Sequence, residues 1–201
     1  MLRGDVITRR LLAARGISTV YFRYPFTNTG PTPEVKDAFE AFLRSRGYVV
    51  APFTVEHADY AYNALWVNAR ARGAEGAETA ERVRAAYLEH LDTAFDFFEG
   101  LARDTFGRDI PQILLIHANE INAECLDAML GRLEARGYSF VSLEEALRDP
   151  AYATPDRFVG TNGPSWLHRW RVGLNLPPRL RDEPDMPAWA WEAYQALLRA
   201  R

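Results

Sequence analysis

The stretch Tyr21-Phe22-Arg23-Tyr24-Pro25-Phe26-Thr27-Asn28-Thr29-Gly30 decides how the rest of the chain is read. Its lead-in (Ile17, Thr19, Val20, Tyr21, Phe22) is rich in β-branched and aromatic residues, which suit a pleated, half-buried surface, so 17–23 reads as a strand. Pro25 has no N–H for a ladder and pushes Tyr24 to an extended conformation, so the strand ends there. Arg23 then stands at a strand's C-terminal end, where α/β folds place their ligands. Its guanidinium keeps its charge and can grip a carboxylate with two parallel hydrogen bonds. The plainer alternative is an arginine solvated at a loop entrance.

Working outward, the spacing predicts a helix over 5–15, closed by Gly16. Thr32-Pro33-Glu34 opens a second helix, with Thr32 as N-cap and Pro33 at its first position, and Gly47 ends it. Short strands are predicted at 48–50 and 53–57. A long amphipathic helix fills about 77–105, with Val83, Tyr87, Leu91, Ala94, Phe95 and Phe98 three and four apart. The apolar run Ile113-Leu114-Leu115-Ile116 reads as a strand (112–116) buried on both faces of a parallel sheet. A helix over 126–133, a strand over 138–141 and a capping box at Ser142 follow. Alternating helices and strands argue an α/β domain over 1–150, with a mainly parallel sheet under covering helices. Residues 151–201 are rich in Pro, Gly and Trp, and read as an extension packed on that domain, ending in a helix over 189–199.

The chain has 201 residues, 48% hydrophobic and 25% charged, as in an ordinary globular domain. Its net charge of -3 and lack of a basic cluster give no footprint for nucleic acid. Cys125 is the single cysteine, which rules out an internal disulfide and a thiolate-rich zinc site; among Ala123, Leu126 and Met129 it reads as a buried thiol. No stretch approaches a membrane span, and no signal peptide is visible, so the sequence as written reads as cytoplasmic.

Three segments in order carry a family resemblance: Arg23-Tyr24-Pro25-Phe26, Asp59-Tyr60 and Leu115-Ile116-His117. They resemble the arginine, aspartate–tryptophan and leucine–histidine motifs of the polysaccharide deacetylases, the NodB-homology domain or carbohydrate esterase family 4. The resemblance covers residues 1 to about 150. It implies a (β/α) barrel, and metal-dependent hydrolysis of acetyl groups from a carbohydrate polymer. Members of the family are often extracytoplasmic.

By the same resemblance His117 is the general acid for the leaving group, and Asp59 orients and tunes it. A carboxylate beside an imidazole keeps a proton ready for delivery. Phe26 would lend its backbone N–H to the oxyanion. Tyr24, Pro25, Tyr60 and Leu115 would bind substrate, with Tyr60 and Leu115 walling the acetyl group. In the family Arg23 holds an aspartate of the first motif. That motif (Thr-Phe-Asp-Asp-Gly) and the two-histidine metal motif do not occur in this sequence. The expected fold is thus a partial barrel lacking its first strands, with no cofactor or metal ligand in this chain, and a zinc-like divalent ion expected of the full-length family member.

Three readings stay open at this stage. One is a truncated deacetylase, inactive alone, with an open sheet edge that promotes self-association. A second is a glycan-binding remnant without turnover, and the third a small α/β domain with an unrelated ligand. In the first two the partner is an acetylated polysaccharide or oligosaccharide.

Overall fold

The computed structural model describes residues 2–18 and 20–200. The chain divides into two compact units, Met1–Pro52 with Arg157–Pro164, and Phe53–Asp156 with Ser165–Arg201.

In the first unit, α1 (Leu2–Ala13) precedes β1 (Val20–Phe22), α2 (Pro33–Ser45) and β2 (Tyr48–Val50). β1 and β2 pair in parallel, with Val20 opposite Tyr48 and Phe22 opposite Val50. α2 is the crossover such a pair needs. It starts where Thr32 accepts a side-chain hydrogen bond from the Val35 N–H, with Pro33 in the first turn. Phe22 meets Tyr24, Phe39 and Tyr48 edge to face, at ring separations of 5.4, 5.5 and 6.3 Å. α1 is anchored by polar groups: Asp5 accepts from the Tyr48 hydroxyl and from Arg9. Residues 157–164 rejoin this unit through an antiparallel bridge between Gly30 and Gly160, and Lys36 Nζ donates to the Phe158 carbonyl at 3.0 Å.

The second unit is helical. It contains α3 (Asp59–Arg70), α4 (Ala77–Phe106), α5 (Glu120–Ala135), α6 (Leu143–Ala146), α7 (Trp166–Gly173) and α8 (Ala188–Arg199). α4 packs against α3, α5 and α7, and α3 also packs against α5 and α8. The three-and-four spacing of α4 buries Val83, Tyr87, Leu91, Ala94, Phe95 and Phe98. Ala61, Tyr62, Leu65 and Trp66 meet them from α3, and Ile121, Cys125, Met129 and Leu133 from α5. Each large side chain so buried contributes about 1.5–3 kcal/mol. Gly76 permits the turn between α3 and α4, since a Cβ there would lie 1.8 Å from the Ala69 carbonyl oxygen. Among the described residues no helix is long and apolar enough to cross a membrane.

The expected α/β barrel with a mainly parallel sheet is not the fold. The described residues hold one two-stranded sheet that does not close, and helices dominate. The strand expected over 17–23 shrinks to Val20–Phe22, and Thr19 lies outside the described residues. At 53–57 and 112–116 the backbone makes a single parallel bridge, Val55 to Leu114, and no ladder. Side chains and a helix start take the groups a ladder would use. The Phe53 carbonyl accepts from the Trp166 N–H, the Thr54 carbonyl from Ser165 Oγ, and the Ile113 N–H donates to Thr54 Oγ1. Pro52 and Pro111 remove further donors. At 138–141 the residues are irregular; Phe140 and Val141 face solvent, and Tyr138 is held by Glu99.

Candidate active site

Asp59 and His117 meet in the second unit. Val55 and Leu114 bridge, with the Leu115 N–H donating to the Val55 carbonyl at 2.9 Å, so the segments following them leave the bridge side by side. Ala58 then takes a left-handed conformation (φ 53°, ψ 37°) and turns the chain into α3, whose first residue is Asp59. A carboxylate there faces the unpaired N–H groups of a helix N-terminus, which favour negative charge.

The Asp59 carboxylate is 3% exposed and fully engaged. Oδ1 is 2.8 Å from His117 Nδ1. Oδ2 accepts from the His117 backbone N–H at 2.8 Å, from Asn119 Nδ2 at 3.0 Å and from Asn122 Nδ2 at 2.6 Å. Since the carboxylate only accepts, Nδ1 is the protonated nitrogen facing it, and Nε2 is the nitrogen left to meet a ligand. The His117 side chain is 55% exposed, so that nitrogen has access to solvent. The ring is thus fixed at one end and open at the other.

Asn119 and Asn122, which the sequence reading passed over, complete the support. Asn119 caps α5 by accepting from the Asn122 N–H, and Asn122 Nδ2 also donates to the His117 carbonyl at 2.9 Å. Asn122 Oδ1 accepts from the buried Tyr87 hydroxyl of α4. The signal was present as Asn at a helix start three residues before a second Asn, directly after His117-Ala118. Of the other expected residues in this unit, Tyr60 is half exposed at the start of α3, with its ring 6.1 Å from that of Tyr194. Leu115 is partly buried beside the bridge.

The arginine segment belongs to the first unit. Arg23 donates through Nε to the Ala51 carbonyl at 3.3 Å and through a terminal nitrogen to the Pro52 carbonyl at 3.2 Å. Burial lowers its pKa from the ordinary guanidinium value. Tyr24 is buried and its hydroxyl donates to Glu40 at 3.1 Å. Pro25 opens a short 3-10 turn in which Phe26 has φ 52° and stands 85% exposed.

Among the described residues no three His, Cys, Asp or Glu side chains are grouped to hold a metal ion. No family model, curated protein or solved structure matches the chain.

Proposed function

We propose that this is a polysaccharide deacetylase-like protein that engages acetylated carbohydrate and presents His117 as the proton donor to the leaving group. The observation that carries the reading is the contact of Asp59 with His117 Nδ1, which orients the ring and leaves Nε2 as the nitrogen for chemistry. In hydrolysis, Nε2–H would protonate the nitrogen or oxygen departing from the acetyl carbon, and Asp59 would stabilise the imidazolium before that transfer. The ordered arginine, aspartate and histidine segments support the family. In that family a divalent metal supplies the attacking oxygen; this reading assigns none of its ligands to this chain. The chain therefore contributes an acid and a carbohydrate surface. A second reading, glycan binding without turnover, is favoured by the missing Asp-Asp and His-x₃–₄-His motifs.

The test follows imidazole resonances by NMR during titration with acetylated chito-oligosaccharide and xylo-oligosaccharide, alongside an acetate-release assay. One of these sugars should perturb His117, and Asp59→Asn should change its tautomer populations and blunt that response. The isolated chain should release no acetate with added zinc. If no acetylated sugar perturbs His117, the carbohydrate reading fails. If acetate is released equally by His117→Ala, the acid is elsewhere.

A further inference from the structure

Glu56-His57-Ala58, directly ahead of Asp59, lines a cleft of about 590 Å³ within the second unit. Its other walls are His90 and Phe98 of α4, Tyr60, and the segment from Glu183 to Trp191. His57 is 2% exposed, and neither ring nitrogen has a hydrogen-bond partner among the described residues. Its ring stacks on Tyr87 at 4.6 Å, which fixes the plane without satisfying either nitrogen. A buried donor and acceptor left unmade are costly, and such groups call for a partner. Neighbouring His90 shows the contrast. Its Nε2 donates to the Pro184 carbonyl at 2.9 Å, so Nδ1 accepts from the Tyr62 hydroxyl at 3.2 Å.

Three carboxyl groups share the same walls: Glu56, Glu183 and Asp185. Glu183 Oε1 is 3.3 Å from His168 Nε2, but the two are not aligned as a hydrogen bond. Glu56 is held up to about 7, by burial first and then by the charges of Glu183 and Asp59, against the opposite pull of Arg169 and His117. Tyr60 and Trp191 also line the cleft and are about half exposed, with the Tyr194 ring near both, at 6.1 and 5.9 Å.

We infer that this cleft binds a small organic ammonium ion, its charged head between Glu56, Asp185 and the unpartnered His57 nitrogen, and its frame against Tyr60 and Trp191. The acidic walls repel an anion, and a neutral guest would leave the carboxyl groups unpaired. An ammonium carries three N–H donors for two carboxyl groups and one imidazole acceptor. Aromatic faces attract such a cation, and they offer a surface to the carbon frame that carries it. The inference does not rest on the carbohydrate reading. An amino sugar and a simple alkylamine share the required chemistry.

The experiment titrates the whole chain by calorimetry with glucosamine and with cyclohexylammonium, against their neutral counterparts N-acetylglucosamine and cyclohexanol. The ammonium probes should bind and the neutral ones should not. Tighter binding of glucosamine assigns the site to amino sugars, and tighter binding of cyclohexylammonium assigns it to alkylamines. The double variant Glu56→Gln, Asp185→Asn should weaken binding about tenfold or more, the scale of a lost charge-assisted hydrogen bond. Circular dichroism checks that the variant is folded, and Asp185→Asn alone, at an exposed position, provides a second folded comparison. Equal binding of neutral and ammonium probes, no binding of either ammonium, or undiminished binding by a folded double variant would each overturn the inference. The His117 reading is measured separately and survives any of these.

Discussion

Glu56 is a carboxyl group whose proton is held by its surroundings, and this has a consequence for stability. Burial and the nearby acidic charges raise it from 4.5 to about 7, so the folded chain binds this proton more tightly than the unfolded one. The stabilisation is fully present below 4.5 and is lost as pH rises through about 7, an amount of order 3 kcal/mol. His57 behaves oppositely: burial lowers it from 6.5 to about 3, so its contribution is present above 6.5 and disappears as the solution is acidified. Comparing the wild type with Glu56→Gln separates the two, because the His57 contribution is common to both proteins. Urea unfolding from pH 4.5 to about 7 should show the wild type losing stability relative to Glu56→Gln as pH rises. Parallel profiles would mean that the carboxyl group is ionised at little cost. At this scale the sequence made Asp59 and His117 legible, since a strand-like run ending in His and an Asp-aromatic pair are local patterns. It hid Asn119, Asn122 and Glu56, whose roles depend on what lies opposite them in space.

At the level of elements, the helices were legible because burial follows a period that a sequence displays directly. The spacing over 77–105 appears as α4, and Ser142 caps α6 by accepting from the Glu145 N–H. The strands were less so. Phe53-Thr54-Val55 and Ile113-Leu114-Leu115-Ile116 have the composition of strands, yet a ladder needs consecutive free backbone groups, and here Thr54, Ser165 and Trp166 occupy them. One bridge sufficed to bring the segments leading to Asp59 and His117 together. The joint between bridge and helix carries strain, since Ala58 adopts φ 53° without being glycine. Ala58→Gly should therefore stabilise the protein by about 0.5–1 kcal/mol, and Ala58→Val should destabilise it by more than about 1 kcal/mol. Denaturant midpoints at constant m-value measure both. A loss of stability in Ala58→Gly would show that the turn depends on the methyl group more than on backbone freedom.

At the scale of the whole molecule, the expectation of self-association keeps a physical basis although the barrel behind it is gone. Among the described residues the sheet is a single pair of short strands. α1 supplies that basis through an inverted arrangement: Asp5 and Arg9 are committed to Tyr48, while Val6, Ile7 and Leu11 are 69, 63 and 54% exposed. Those apolar residues belong to the helix that the spacing predicts over 5–15. The polar contacts won because the Tyr48 hydroxyl and ring offer Asp5 a hydrogen bond and Arg9 a cation–π contact, its guanidinium 5.0 Å from the ring centroid. A two-fold pairing of chains would set this apolar row against its own copy, and a patch of this kind is self-complementary in that symmetry. Sedimentation velocity over a concentration series should accordingly show reversible association of the wild type. Ile7→Lys with Leu11→Lys should shift the boundary toward the monomer, because opposed like charges cannot share a dry contact. A wild type that sediments as a monomer throughout the series would remove α1 as an association surface.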